Sequence, residues 1–225
     1  MSEEFKDAAA SRTWANFDTI LLDMDGTLLD LAFDNYFWRE LIPRCVARQR
    51  DISEQAAREH IFGLYAGKEG TLDWYCLDFW SERLTLDLLA LKEASSHRIR
   101  FLPGAREFLQ LARDSGKRLV LVTNAHQENL EMKKDVAGLT LWIKEFVSSH
   151  DLGAPKEQQI FWRQLQRQLD FDPAHTMFID DSLAVLNAAV EFGIEKVVGV
   201  RRPDSRQPHR DAGDHVSIDG VGVWL

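Results

Sequence analysis

The chain has 225 residues, of which 45% are hydrophobic and 28% charged. That length and balance suit one α/β domain carrying an insertion and exclude a chain disordered throughout. The formal net charge is −9, and no stretch concentrates Lys and Arg, which argues against a nucleic-acid polymer as partner.

The opening residues, Met1 to Asp7, lack the basic-then-apolar profile of a secretion signal. No apolar run approaches the roughly 20 residues that span a bilayer, so a cytoplasmic protein with no membrane partner is expected. Cys45 and Cys76 have neither metal-ligand spacing nor the density of a disulfide scaffold; buried free thiols in a reducing compartment are expected. Nothing in the sequence sets an oligomeric state.

The first element is the apolar run Thr19 to Asp23, a buried strand emptying into an acidic, glycine-containing loop. After Leu29 the pattern turns helical, with Ala57, His60, Ile61 and Leu64 on one face. A helical insertion is assigned to residues 30–100, with the core formed by 1–29 and 101–225. Pro103-Gly104 marks the return. Ala105, Phe108, Leu109 and Ala112 predict a helix ended by Gly116.

Strands are predicted over Lys117 to Thr123, Glu145 to Ser149, Thr176 to Asp180 and Lys196 to Val200. A helix from Ser182 to Phe192, with Ser182 as its cap and Gly193 behind it, separates the last two. Arg201 to Asp214 has the composition of a surface loop. Strands alternating with helices predict a Rossmann-like α/β fold: a parallel sheet of five strands, flanked by helices.

Chemistry gathers at the strand ends. In Asp23-Met24-Asp25-Gly26-Thr27 two carboxylates can face one site, and glycine lets the backbone turn beside a ligand. An aspartate of ordinary pKa, about 3.9, is ionised at neutral pH and can attack phosphorus without a separate base. Asp25, raised by its charged neighbour, can protonate the leaving oxygen and later take a proton from water. Asp180-Asp181 is a second acidic pair, and four such carboxylates want a cation. Mg²⁺ suits an all-oxygen set better than Zn²⁺. The Thr123 hydroxyl, Asn124 and Lys156 supply donors and positive charge for a phosphoryl group.

These residues, in this order, resemble the haloacid dehalogenase superfamily: Asp23 to Thr27 as its first motif, Thr123-Asn124 as its second, Lys156 as its third and Asp180-Asp181 as its fourth. The resemblance implies Asp23 as nucleophile, Asp25 as acid and base, and Thr123 and Lys156 as phosphate holders. It also implies Mg²⁺ held by Asp23, the Asp25 carbonyl and the Asp180-Asp181 pair, beneath a helical cap. Leu21 to Trp38, Asp73 to Trp80 and Leu121 to His126 further resemble bacterial 5′-nucleotidases that hydrolyse GMP and IMP.

The function expected is therefore removal of phosphate from a purine mononucleotide. Gly26, Asn35, Tyr36 and Asn124 are candidate substrate contacts, and Trp74 and Tyr75 are candidates for stacking the base. The competing expectations are a sugar-phosphate phosphatase or phosphomutase with the same aspartates, and a phosphate-ligand binding protein without turnover.

Overall fold

The computed structural model describes residues 13–225; the assignment of residues 1–12 to the core lies outside the described residues. Six strands form one sheet: β1 (Thr19–Leu22), β2 (Arg118–Thr123), β3 (Glu145–Ser148), β4 (Thr176–Asp180), β5 (Lys196–Val200) and β6 (Val216–Ile218). All neighbours are parallel, in the order β3-β2-β1-β4-β5-β6. The chain thus winds outward from β1 in both directions. The crevice at such a reversal, beyond the carboxyl ends of the strands, is where open α/β sheets take ligands.

The strands are apolar on both faces because each face packs under helices. Ile20, Leu22, Leu119, Leu121, Met177 and Ile179 enter one core layer. Their alternates Leu21, Val120, Val122 and Phe178 enter the other, as the two-residue period of a strand requires. Val216–Ile218 went unrecognised in the sequence because three residues are too few to show an alternation. The loop preceding it is less exposed than its polar composition suggests, since Pro203 and Asp204 are buried.

Between β1 and β2 the chain is helical: α1 (Ala32–Tyr36), α2 (Ile42–Arg50), α3 (Glu54–Tyr65), α4 (Leu72–Tyr75), α5 (Leu77–Leu84), α6 (Leu88–Ser95) and α7 (Ala105–Asp114). A π turn, Phe37–Leu41, joins the first two. Helices α2 to α6 have their own apolar centre, including Phe37, Ile61, Trp80 and Leu84. The insertion leaves and returns through adjacent positions: Leu29 bridges Phe101, and the Asp30 N–H donates to the Arg100 carbonyl at 2.8 Å.

The remaining helices α8 (Gln127–Ala137), α9 (Gln159–Leu169) and α10 (Leu183–Phe192) follow β2, β3 and β4. Gly193 ends α10 with φ of 103°, the left-handed conformation expected of it. The Ser182 side chain, expected as the cap, makes no capping bond. Its backbone N–H instead donates to Asp180 Oδ1 at 2.8 Å, which satisfies that loop without the hydroxyl. No helix among the described residues is long and apolar enough to cross a membrane.

Candidate active site

The parallel register brings the ends of β1, β2 and β4 level: Leu22 pairs with Leu121 and with Ile179. Asp23 and Asp180, one residue further on, and Thr123, two further on, therefore reach the same edge, and all three line a cavity of about 880 Å³. Asp25, Asn124, Lys156 and Asp181 line it too. Asp23 is held in place by its N–H, which donates to the Ile179 carbonyl at 3.0 Å. The chain then turns on Gly26, whose N–H donates to the Leu29 carbonyl at 2.7 Å.

Gly26 itself is not among the residues that line the cavity. It has φ of 93°, and a Cβ there would sit 2.7 Å from Asp181 Cγ and 2.9 Å from Pro203 Cβ. Its absent side chain lets the first acidic loop nest against Asp181.

Lys156 is buried and joins the two acidic loops, with Nζ 2.6 Å from Asp23 Oδ1 and 2.7 Å from Asp180 Oδ2. A third bond at 3.2 Å goes to the Val122 carbonyl. Burial alone would lower the Lys156 pKa, but Asp180 and Asp23 outweigh it and hold the ammonium charged. The other Asp23 oxygen, Oδ2, is buried without a hydrogen-bond partner among the described residues.

Burial raises the Asp23 pKa well above the carboxylate range against the pull of Lys156, and Asp180 and Asp181 add to the rise. The expectation of an ordinary, ionised Asp23 left out this desolvation. Asp181 is pushed up to about 7, mainly by burial and then by Asp180, with Arg210 opposing at 3.0 Å. Oxygens of Asp23, Asp180 and Asp181 lie within 4.8 Å of one another. Three carboxylates against Lys156 and the exposed Arg210, with an unpartnered buried oxygen among them, fit a hard divalent cation.

Asp25 belongs to a buried chain of charges that the sequence did not disclose. Lys133 Nζ donates to Asp25 Oδ1 at 2.7 Å and to Asp34 Oδ2 at 2.6 Å, and Lys92 Nζ donates to Asp34 Oδ1 at 2.7 Å. Both lysines are about 1% exposed. Burial raises the Asp25 pKa more than Lys133 lowers it. Asp34 shows the reverse balance: burial would raise it, but Lys133 and Lys92 together hold it below the ordinary range. The expected charge count of four aspartates and one lysine thus omitted Lys133, Lys92, Asp34 and Arg210. An Asp to Lys separation of 108 residues carries no spacing signal. Periodicity also gives no reason to single out a lysine within α8.

Thr123 accepts the Ala125 N–H at 3.0 Å, leaving its hydroxyl hydrogen free to donate. Asn124 is largely committed as a strut. Its Oδ1 accepts the Lys156 N–H at 2.9 Å, and its Nδ2 donates to Glu157 Oε2 at 3.0 Å. Tyr75, from the insertion, donates to Glu157 Oε1 at 2.5 Å, so Glu157 joins α4 to the loop that carries Lys156.

Trp74 and Tyr75 line the cavity, along with Trp38, Phe62 and Tyr65. Trp74 also packs edge-on against Tyr65 and Trp80. Asn35 lines the cavity and donates to Asp204 Oδ2 at 2.7 Å. Tyr36 is not among the lining residues; its ring lies 3.9 Å from the Arg98 guanidinium carbon.

Residues 17–193 match haloacid dehalogenase-like hydrolases. The chain belongs to that family and is a hydrolase. It is 41% identical over 206 residues to the GMP/IMP nucleotidase YrfG of Escherichia coli, covering 92% of this chain and 93% of that one, and equally to the Shigella flexneri protein. A HAD phosphatase from Thermococcus onnurineus has the same fold, with a TM-score of 0.75 at 24% identity, covering 91% and 94% of the two chains. So does a Bacillus subtilis protein assigned as the HAD hydrolase YfnB and solved bound to magnesium, with a TM-score of 0.66 at 18% identity, covering 91% and 95%.

Proposed function

We propose that this hydrolase removes the phosphate of purine mononucleotides such as GMP and IMP, using Mg²⁺ and a phospho-aspartate on Asp23. The observation that carries the chemistry is the buried Asp23 Oδ2, unpartnered among the described residues while Lys156 holds the other oxygen. A cation bound among these aspartates would offset the burial that raises the Asp23 pKa, and a carboxylate fixed on one side and unpartnered on the other is oriented for in-line attack. The substrate class rests on the 41% identity with GMP/IMP nucleotidases over nearly the whole chain.

In this reading the Asp23 oxygen forms a bond to phosphorus as the ester oxygen leaves with a proton from Asp25. Asp25, now ionised and paired with Lys133, takes a proton from the water that attacks the phospho-aspartate. Free phosphate and the nucleoside result. Lys156 and the Thr123 hydroxyl meet the charge on the phosphoryl oxygens, the principal demand of phosphoryl transfer. Asp23, Asp180, Asp181 and the Asp25 carbonyl would hold Mg²⁺, which supplies charge neutralisation when bound.

Residues 30–100 act as a cap over the core formed by 1–29 and 101–225. The pairing of Leu29 with Phe101 supports that division. The aromatic part of the cavity lining, Trp38, Phe62, Tyr65 and Trp74, suits a flat base.

A phosphate-release screen across nucleotides and sugar phosphates, with and without Mg²⁺, tests the proposal. Release from GMP and IMP that needs the cation and is lost in Asp23→Asn is expected. Full turnover by that variant would end the mechanism, while preference for a sugar phosphate or a bisphosphate requirement would end the substrate assignment. Ligand that binds with Mg²⁺ and stays intact would make the protein a binding module.

A further inference from the structure

A second group of ligating side chains lies where the insertion meets the core, away from the carboxylates. Cys76 stands between α4 and α5, His126 precedes α8, and His150 follows β3. Their spacings of 50 and 24 residues carry no metal signature. The fold nevertheless brings Cys76 Sγ and a ring nitrogen of each histidine within 4.8 Å of one another. The two imidazoles meet edge to face with centroids 5.0 Å apart.

We propose that Cys76, His126 and His150 bind a divalent cation of the zinc class, linking the insertion to the core. One sulfur and two imidazole nitrogens form a borderline-soft set, which selects Zn²⁺ or its neighbours over Mg²⁺. His126 Nδ1 and His150 Nε2 are buried without hydrogen-bond partners among the described residues, a cost that ligation would remove.

Ligands bound at the usual zinc distances stand about 3.5 Å apart in a tetrahedron, so the group, within 4.8 Å, needs to contract by at most about 1.3 Å. Binding replaces the Cys76 S–H proton, which is released to solvent, and involves no redox change.

The site is distinct in donor chemistry from the all-oxygen cluster at Asp23, and this separates its test from that of the phosphatase proposal. The full chain, with Mg²⁺ in excess, is titrated with Co²⁺ as a spectroscopic probe, and Zn²⁺ is then added. One Co²⁺ per chain is expected, with tetrahedral visible bands and a thiolate charge-transfer band in the near ultraviolet, all displaced by Zn²⁺. Cys76→Ser should lose the charge-transfer band, and His150→Ala should weaken binding by about tenfold or more. Asp181→Asn should leave the band unchanged.

Cys76 Sγ accepts the Phe79 N–H at 3.4 Å, and serine retains an acceptor there, so this variant is expected to fold. The absence of a charge-transfer band at saturating Co²⁺, its survival in Cys76→Ser, or its loss in Asp181→Asn would each overturn the proposal.

Discussion

Replacing Lys133 by methionine tests the buried charge chain directly. At an effective dielectric of 20 its contacts with Asp25 and Asp34, at 2.7 and 2.6 Å, are each worth roughly 6 kcal/mol in Coulomb energy. Desolvation of the groups offsets much of this. Removing one partner, however, returns none of the desolvation already spent on the others, and broken buried pairs cost about 3–5 kcal/mol.

That range is the expected loss in urea unfolding at pH 8. It should shrink at pH 5, because burial already raises the Asp25 pKa and loss of Lys133 raises it further. A group with a raised folded-state pKa binds more protons folded than unfolded. Its carboxylate penalty therefore grows as pH rises from the unfolded value through the folded one and is relieved in acid. Asp34→Asn in the Lys133→Met background should restore part of the stability by removing one of the stranded carboxylates. A loss below about 1 kcal/mol at pH 8, or equal losses at pH 5 and 8, would refute the electrostatic account.

Gly26→Ala should lose about 2–4 kcal/mol in thermal or urea unfolding, combining strain at φ of 93° with a Cβ 2.7 Å from Asp181 Cγ. An unchanged melting temperature would contradict the packing described. Tyr75→Phe removes the bond between the insertion and Glu157. At about 1.5–3 kcal/mol for a bond to a charged group, KM for the proposed nucleotide should rise roughly tenfold or more with the fold intact; steady-state kinetics with an unaltered KM would count against the link. Lys133 and Lys92 depress the Asp34 pKa, so its contribution to stability is present above the ordinary value near 3.9 and lost as pH falls through the folded one. Urea midpoints should accordingly fall more steeply in the wild type than in Asp34→Asn as pH drops from about 5 to 2.

The sheet was legible because buried parallel strands are written as short apolar runs. All five runs expected agree with the observed strands to within one residue at either end, and Thr176 to Asp180 and Lys196 to Val200 agree at both. The placement of Asp23, Thr123 and the Asp180-Asp181 pair was legible for a related reason: strand ends are marked by the change from apolar to polar residues, and parallel register does the rest, whereas Lys156 sits on the loop between β3 and α9. The partners of Asp25 and Glu157 were not, because contacts made across α1, α4, α6 and α8 depend on how helices dock, which no local period encodes. The same limit hid the meeting of Cys76, His126 and His150 and bears on the expectation of buried free thiols; both cysteines are free but only half-buried. Tyr36 was singled out by its place in the chain beside Asn35, yet successive helical residues point about 100° apart, and only Asn35 turns toward the cavity.

The pairing of Leu29 with Phe101 has an engineering consequence. Because the two crossing points sit side by side, a graft replacing the intervening helices needs only to offer ends about 5 Å apart, whatever its own length. Swapped segments would leave the strand register untouched, so chimaeras between relatives become a practical way to exchange selectivity while keeping one reaction chemistry.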